Sequence, residues 1–198
     1  MPSDSKQRER TRRLFFALWP DEAMQAALAE ATRAIVSACD GTAVPSRNFH
    51  FTLAFLGSVP ESRITELTPI AARVALAFQD ATSCGRERAA PISITLDHIE
   101  YWRRSEILCA TSRAEPSAAI AVADTLRRVL TEHGFAPDLK RFLAHVTLAR
   151  KVRRASRERV MLPVQWSFRD FHLVESQTAP TGSLYSSREI YPLDTHAR

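Results

Sequence analysis

Short apolar runs alternate along this chain with Ala-rich stretches of helical spacing and with polar loops. Leu14–Trp19, dense in aromatics, reads as a first strand buried on both faces. Pro20 can open the next helix at its first turn, with Asp21 and Glu22 suiting the positive end of the dipole. That helix runs to about Cys39, and Asp40-Gly41 stops it. After a loop through Pro45, Phe49–Leu56 reads as a second strand ended by Gly57. A second helix is predicted from Pro60 and Glu61 towards Phe78, bent or split at Pro69.

Residues 79–91 read as a polar loop. Ile92–Leu96 alternates like a strand, and Ile107–Thr111 is its hairpin partner, with Arg103 and Arg104 in the connection. A third helix follows Pro116, burying Ile120, Val122, Leu126, Val129 and Leu130, and Gly134 stops it. His145–Arg150 forms a further strand, and Trp166–Glu175 and Ser183–Tyr191 pair around a turn at Pro180–Gly182. Strands and helices mix without the regular alternation of a doubly wound parallel sheet. The expected class is α+β, with antiparallel sheets and helices on the outside.

Two of these strands carry one phrase. His50-Phe51-Thr52-Leu53-Ala54 returns as His145-Val146-Thr147-Leu148-Ala149, 95 positions later. The odds of such a repeat after one of the other histidines are about one in a thousand from ordinary residue usage. Side chains alternate across a strand, so His50 and Thr52 share one face, and Phe51, Leu53 and Phe55 share the other. His145 and Thr147 likewise share a face opposite Val146 and Leu148. Each strand thus presents an imidazole beside a hydroxyl on an apolar backing. If the chain is two similar halves, two such pairs can face each other across a groove, and around one anion they make a workable set for phosphodiester chemistry without a metal.

Composition narrows the partners. The chain has 198 residues, 45% hydrophobic and 25% charged, enough for one compact domain or two small lobes sharing an interface. A net charge of +5, carried mostly by arginine, favours an acidic partner such as nucleic acid or a phosphorylated metabolite. Cys39, Cys84 and Cys109 form no C-x-x-C pair, so neither a disulfide framework nor a zinc site is expected, and a reducing cytoplasm is the default. No apolar run approaches the roughly eighteen residues of a membrane span, so no membrane partner is expected. Residues 1–12 read as a disordered basic tail. No low-complexity linker divides the rest, which reads as one unit over 13–198.

On these motifs the chain resembles the 2H phosphoesterases, and within them the bacterial and archaeal RNA 2′,3′-cyclic phosphodiesterases, also called 2′-5′ RNA ligases. The resemblance spans roughly residues 13–191. It rests on Arg13-Leu14-Phe15-Phe16-Ala17, on Asn48–Gly57 and on His145–Arg150. It implies a bilobal fold, two antiparallel sheets related by a pseudo-twofold axis with a cleft between them. It places His50 and Thr52 on one wall and His145 and Thr147 on the other. Arg150 matches a basic position of the family and is carried over as a phosphate-binding residue. Strict alternation from His145 aims it at the wrong face, so it joins the site only at a bulge or a strand end. Ala144 stands where relatives usually have proline, a change that removes no chemical group.

The activity implied is metal-independent, cofactor-free hydrolysis of RNA 2′,3′-cyclic phosphate ends to 2′-phosphates, with reverse 2′-5′ ligation open to the same site. By analogy with the superfamily, His145 is the base and His50 the acid, and Thr52 and Thr147 donate to the phosphate oxygens. The expected partner is RNA with a cyclic phosphate end, tRNA fragments included, and the expected state is a monomer. Arg103, Arg104, Lys140, Arg141, Lys151, Arg153 and Arg154 are candidates for holding the strand, and Trp102 for stacking on a base. Phe51 and Phe55 face the core by parity and are not expected to stack.

Three other readings compete. A zinc enzyme would need a third ligand, and His98, His133, His172 and His196 show no ligand spacing to either motif. A non-catalytic RNA-binding module would not need paired titratable groups. A cyclic nucleotide or ADP-ribose cyclic phosphate would satisfy the same phosphate-binding residues as RNA.

Overall fold

The computed structural model describes residues 9–82, 90–155, 160–179 and 182–194. Nine strands form two antiparallel sheets among these residues. Strands β1 (Thr11–Leu18), β3 (Phe51–Pro60), β8 (Asp170–Ala179) and β9 (Gly182–Pro192) make a four-stranded sheet in the order β3-β1-β8-β9. Strands β2 (Thr42–Ala43), β4 (Ile92–Trp102), β5 (Ile107–Thr111), β6 (His145–Arg150) and β7 (Val160–Phe168) make a five-stranded sheet in the order β2-β6-β5-β4-β7. This is the expected α+β, two-sheet architecture. Three α-helices among the described residues complete it: α1 (Glu22–Ser37), α2 (Leu67–Thr82) and α3 (Ser117–Glu132). None is long and apolar enough to cross a membrane.

The helices cross between the sheets. Helix α1 leaves the four-stranded sheet and packs on the five-stranded one, against β6 and β7. Helix α3 leaves the five-stranded sheet and packs against α2 and β3. The exchange ties the halves into one apolar interior containing Leu28, Phe51, Val74, Leu126 and Trp166. Trp166 is fully buried, and its indole N–H donates to the Met24 carbonyl of α1 at 3.0 Å. A large apolar surface is thus buried together with its one polar atom satisfied.

Local chemistry sets the element ends. Asp21 caps α1, its carboxylate accepting from the Met24 N–H at 2.7 Å, so Pro20 lies just outside the helix rather than in its first turn. The second helix is split, but ahead of Pro69: Glu61–Glu66 is a 3₁₀ segment and α2 begins at Leu67. Pro69 then stands in the first turn, where its missing N–H costs no helical bond. Helix α2 continues past Phe78 to Thr82, with Gln79 donating to the Pro192 carbonyl at 2.8 Å, so the start of the segment read as a loop is helical, and its residues 83–89 lie outside the described residues. Strand β1 begins at Thr11, inside the segment read as a tail, where Arg12 pairs with Glu61 and Glu175. Residues 1–8, the greater part of that tail, lie outside the described residues, as does much of the turn at Pro180–Gly182.

Two readings are corrected. Gly57 does not end its strand; β3 continues to Pro60, with Gly57 at φ +68° beside a register shift against β1. Trp166–Glu175 is not one strand but the end of β7 and the start of β8, in different sheets. The buried series Trp166, Phe168 changes phase to Phe171, Leu173 across Arg169, which marks the switch.

Candidate active site

Both motif strands carry a bulge at the same place. In β3, Thr52 faces Ala17 and Ala54 faces Phe16, leaving Leu53 unpaired. In β6, Thr147 faces Cys109 and Ala149 faces Leu108, leaving Leu148 unpaired. The extra residue resets the alternation, so Leu53 and Ala54 are both buried, as are Leu148 and Ala149. The next side chain turns back to the face of the histidine. Arg150 reaches the site by this route, satisfying the condition stated for it. Phe55, its counterpart in β3, also reaches it, which corrects the expectation that this ring faces the core.

A cleft of about 610 Å³ lies between the sheets. Arg13, Phe15, His50, Thr52 and Phe55 line it from one side, and Ile107, His145, Thr147, Arg150 and Lys151 from the other. The two imidazole–hydroxyl pairs therefore share one cavity.

Each histidine is anchored in the same way. His50 Nδ1 lies 2.7 Å from the Asn48 carbonyl, and His145 Nδ1 lies 2.8 Å from the Leu143 carbonyl. A carbonyl can only accept, so Nδ1 carries the proton in both rings and Nε2 is the titrating atom. His50 Nε2 accepts from the Thr52 hydroxyl at 3.1 Å. His145 Nε2 has no protein partner among the described residues. Asn48 is itself held, its amide donating to the Ser183 carbonyl of β9 at 2.9 Å.

The surroundings shift both rings the same way. His50 stacks on Trp19 at 5.2 Å and 10°, with Phe15 at 5.0 Å and Tyr185 edge-on at 5.3 Å. Burial pushes its pKa down to about 4; the Asn48 carbonyl opposes this, and the charges of His145 and Arg150 add to it. His145 lies against Trp102 at 4.6 Å. Its pKa is also lowered, first by burial and then by Arg150, against the pull of the Leu143 carbonyl and Glu100. Both shifts favour the neutral imidazole at neutral pH. Cys109, opposite Thr147, is fully buried, and this burial, with Glu100 adding to it, pushes its thiol up to about 12. No cluster of three or more His, Cys, Asp or Glu side chains suited to a metal occurs among the described residues.

A family model, the 2′-5′ RNA ligase superfamily, matches residues 19–179. The chain belongs to that superfamily. It is 29% identical over 188 residues to an RNA 2′,3′-cyclic phosphodiesterase of Thermus thermophilus, covering 91% of this chain and 90% of the relative. It is 29% identical over 158 residues to the Escherichia coli protein of the same description, covering 77% and 80%. Among solved structures it superposes on E. coli LigT complexed with 3′-AMP with a TM-score of 0.78, at 24% identity and 93% and 99% coverage. On TT0787 of T. thermophilus the TM-score is 0.73, at 27% identity and 91% and 97% coverage.

The basic candidates divide. Arg150 and Lys151 line the cleft. Arg103 and Arg104 sit exposed in the turn before β5, outside it. Lys140 pairs with Asp138 and Arg141 with Glu115, neither in the cleft lining. Arg153 and Arg154 serve through their backbone, both N–H groups donating to the Asp40 carboxylate at 2.9 and 2.8 Å. Trp102 is half-buried, lies against His145 and donates to Glu100 at 2.6 Å. Arg13, whose guanidinium lies 4.7 Å from the Phe55 ring centroid, was missed as a site residue, as were Phe15, Trp19, Phe55 and Tyr185. Alternation along β1 puts Phe15 and Ala17 on one face, but nothing local says that β3 and β9 complete the box.

Proposed function

We propose that this chain hydrolyses the 2′,3′-cyclic phosphate end of RNA to a 2′-phosphate, without a metal. One observation carries the reading: two imidazoles from different sheets, each with Nδ1 tied to a carbonyl, line a single cleft beside two hydroxyls and Arg150. The descriptions of the Thermus and E. coli relatives support the choice of RNA, and the 3′-AMP complex of E. coli LigT supports a nucleotide as the kind of ligand.

His145 Nε2 takes a proton from water as the new oxygen–phosphorus bond forms. The bond from phosphorus to the ribose 3′ oxygen breaks, and His50 gives that oxygen a proton. The order of these roles follows the family analogy. The negative phosphodiester raises the proton affinity of both rings when it binds, offsetting the desolvation that favours the neutral ring at His50. Once protonated, His50 Nε2 no longer accepts from Thr52. That hydroxyl is then free, with Thr147, to donate to the phosphate oxygens where charge accumulates. A 5′-hydroxyl in place of water yields a 2′-5′ linkage, but water's abundance favours hydrolysis.

The test is incubation with a cyclic-phosphate-ended oligoribonucleotide, a cyclic mononucleotide and ADP-ribose cyclic phosphate, with product phosphate position read by ³¹P NMR. The expected result is a 2′-phosphate product that persists after exhaustive chelation. Loss on chelation, or a 3′-phosphate product, contradicts the reading.

A further inference from the structure

Beside the cleft lies a second groove that the chemistry above does not use. It measures about 460 Å³, and its lining includes Trp19, Gln25, Arg47, Leu184, Tyr185 and Ser187 together with the acidic Asp21 and Glu22. Asn48 and Tyr185 line both cavities, so the two adjoin. Trp19 partitions them: one indole face lies against His50, and the ring lines the second groove, whereas His50 lines only the first.

The lining suits a nucleobase. Trp19 and Tyr185, perpendicular to one another with centroids 6.2 Å apart, supply aromatic surface, and Leu184 adds exposed apolar area. The polar groups are set by a hydrogen-bonded chain. His172 Nε2 lies 3.0 Å from the Asp170 carboxylate, and its Nδ1 lies 2.8 Å from the Ser187 hydroxyl. Asp170 can only accept, so Nε2 carries the proton, and Nδ1 takes that of Ser187. The Ser187 oxygen is left as an acceptor in the groove. Gln25 spends its amide N–H groups on the Pro20 and Arg47 carbonyls, leaving its own oxygen as a second acceptor. Two acceptors beside an aromatic face match the N–H edge of a base. The carboxylates of Asp21 and Glu22 disfavour a phosphate here. Arg47, next in sequence to Asn48 and without an ion pair among the described residues, is placed to meet the phosphate that bridges the two cavities.

We propose that this groove holds the base of the nucleotide preceding the cyclic end, making the enzyme selective for oligonucleotide over mononucleotide substrates. The inference rests on the RNA-end reading above.

The experiment compares kcat/KM for a cyclic-ended mononucleotide and a cyclic-ended dinucleotide, in the wild type and in Leu184→Glu and Arg47→Ala. Base–aromatic stacking implies a preference of about tenfold or more for the dinucleotide. Both variants, at exposed positions, should lose most of that preference while mononucleotide turnover changes less than about twofold. Equal wild-type rates on the two substrates, or variants that slow both equally, overturn the groove while leaving the active-site reading intact. Hydrolysis of neither substrate overturns the functional reading itself.

Discussion

Replacing His50 by glutamine tests the electrostatics of the site through folding, independent of any substrate. The unfolded chain binds a proton at His50 near the ordinary value of about 6.5, whereas the native ring, stacked on Trp19 and desolvated by its neighbours, titrates at about 4. Protons therefore bind the unfolded state first. The stability attached to the neutral ring is fully present above pH 6.5 and is lost as pH falls towards 4. At 1.36 kcal/mol per pKa unit the full loss is about 3 kcal/mol, of which about 2 kcal/mol is gone by pH 5. His145, shifted the same way, adds to the fall in both proteins and cancels in the comparison. Glutamine has no proton to gain, so the variant should lose about 2 kcal/mol less than the wild type between pH 7.5 and pH 5. Urea unfolding at each pH gives the two curves, and the histidine Cε1–H resonances give the midpoint directly. Parallel stability curves, or a native His50 titrating near 6.5, refute the argument that burial governs this ring.

The same shifts set the activity profile. Because kcat/KM reports the free enzyme, it should peak below about pH 6.5 and fall towards pH 8, while kcat, which reports the anion-bound rings, peaks at higher pH; a kcat/KM that rises from pH 6 to 8 contradicts this. Thr52→Val and Thr147→Val should each lower kcat by about 10², the effect of losing one oxyanion donor, with the fold unchanged by circular dichroism. Trp166→Ala should cost about 3–5 kcal/mol in urea unfolding, because it empties the contact between β7 and α1 and orphans the Met24 carbonyl; a loss below 1 kcal/mol would mean that this contact does not anchor the helix.

What could be read from the residues follows the range of the forces involved. His50 with Thr52, and His145 with Thr147, were legible because period-two alternation over three residues survives any distortion further along. Beyond the threonine the bulges at Leu53 and Leu148 reset that alternation, so Arg150 needed the family pattern to place it and Phe55 was assigned to the wrong face. The break at Arg169 shows in the sequence as a phase change, with Trp166 and Phe168 buried before it and Phe171 and Leu173 after it. The box of Phe15, Trp19 and Tyr185 around His50 joins β1, the residue just beyond it and β9. Only the assembled sheet brings such distant positions together, and no local propensity encodes it. Arg103, Arg104, Lys140 and Arg141 were chosen for charge and sequence proximity, but the cleft selects by strand face, which is why Arg13 enters it and they do not.

Both imidazoles must meet one phosphate for this chemistry to run. Titrating a ribonucleoside 2′-monophosphate into the protein, while following the ¹⁵N resonances of His50 and His145, measures this directly. Both Nε2 signals are expected to move on a single 1:1 isotherm, each towards the protonated form. A response from one ring alone, or two isotherms with different midpoints, would contradict it.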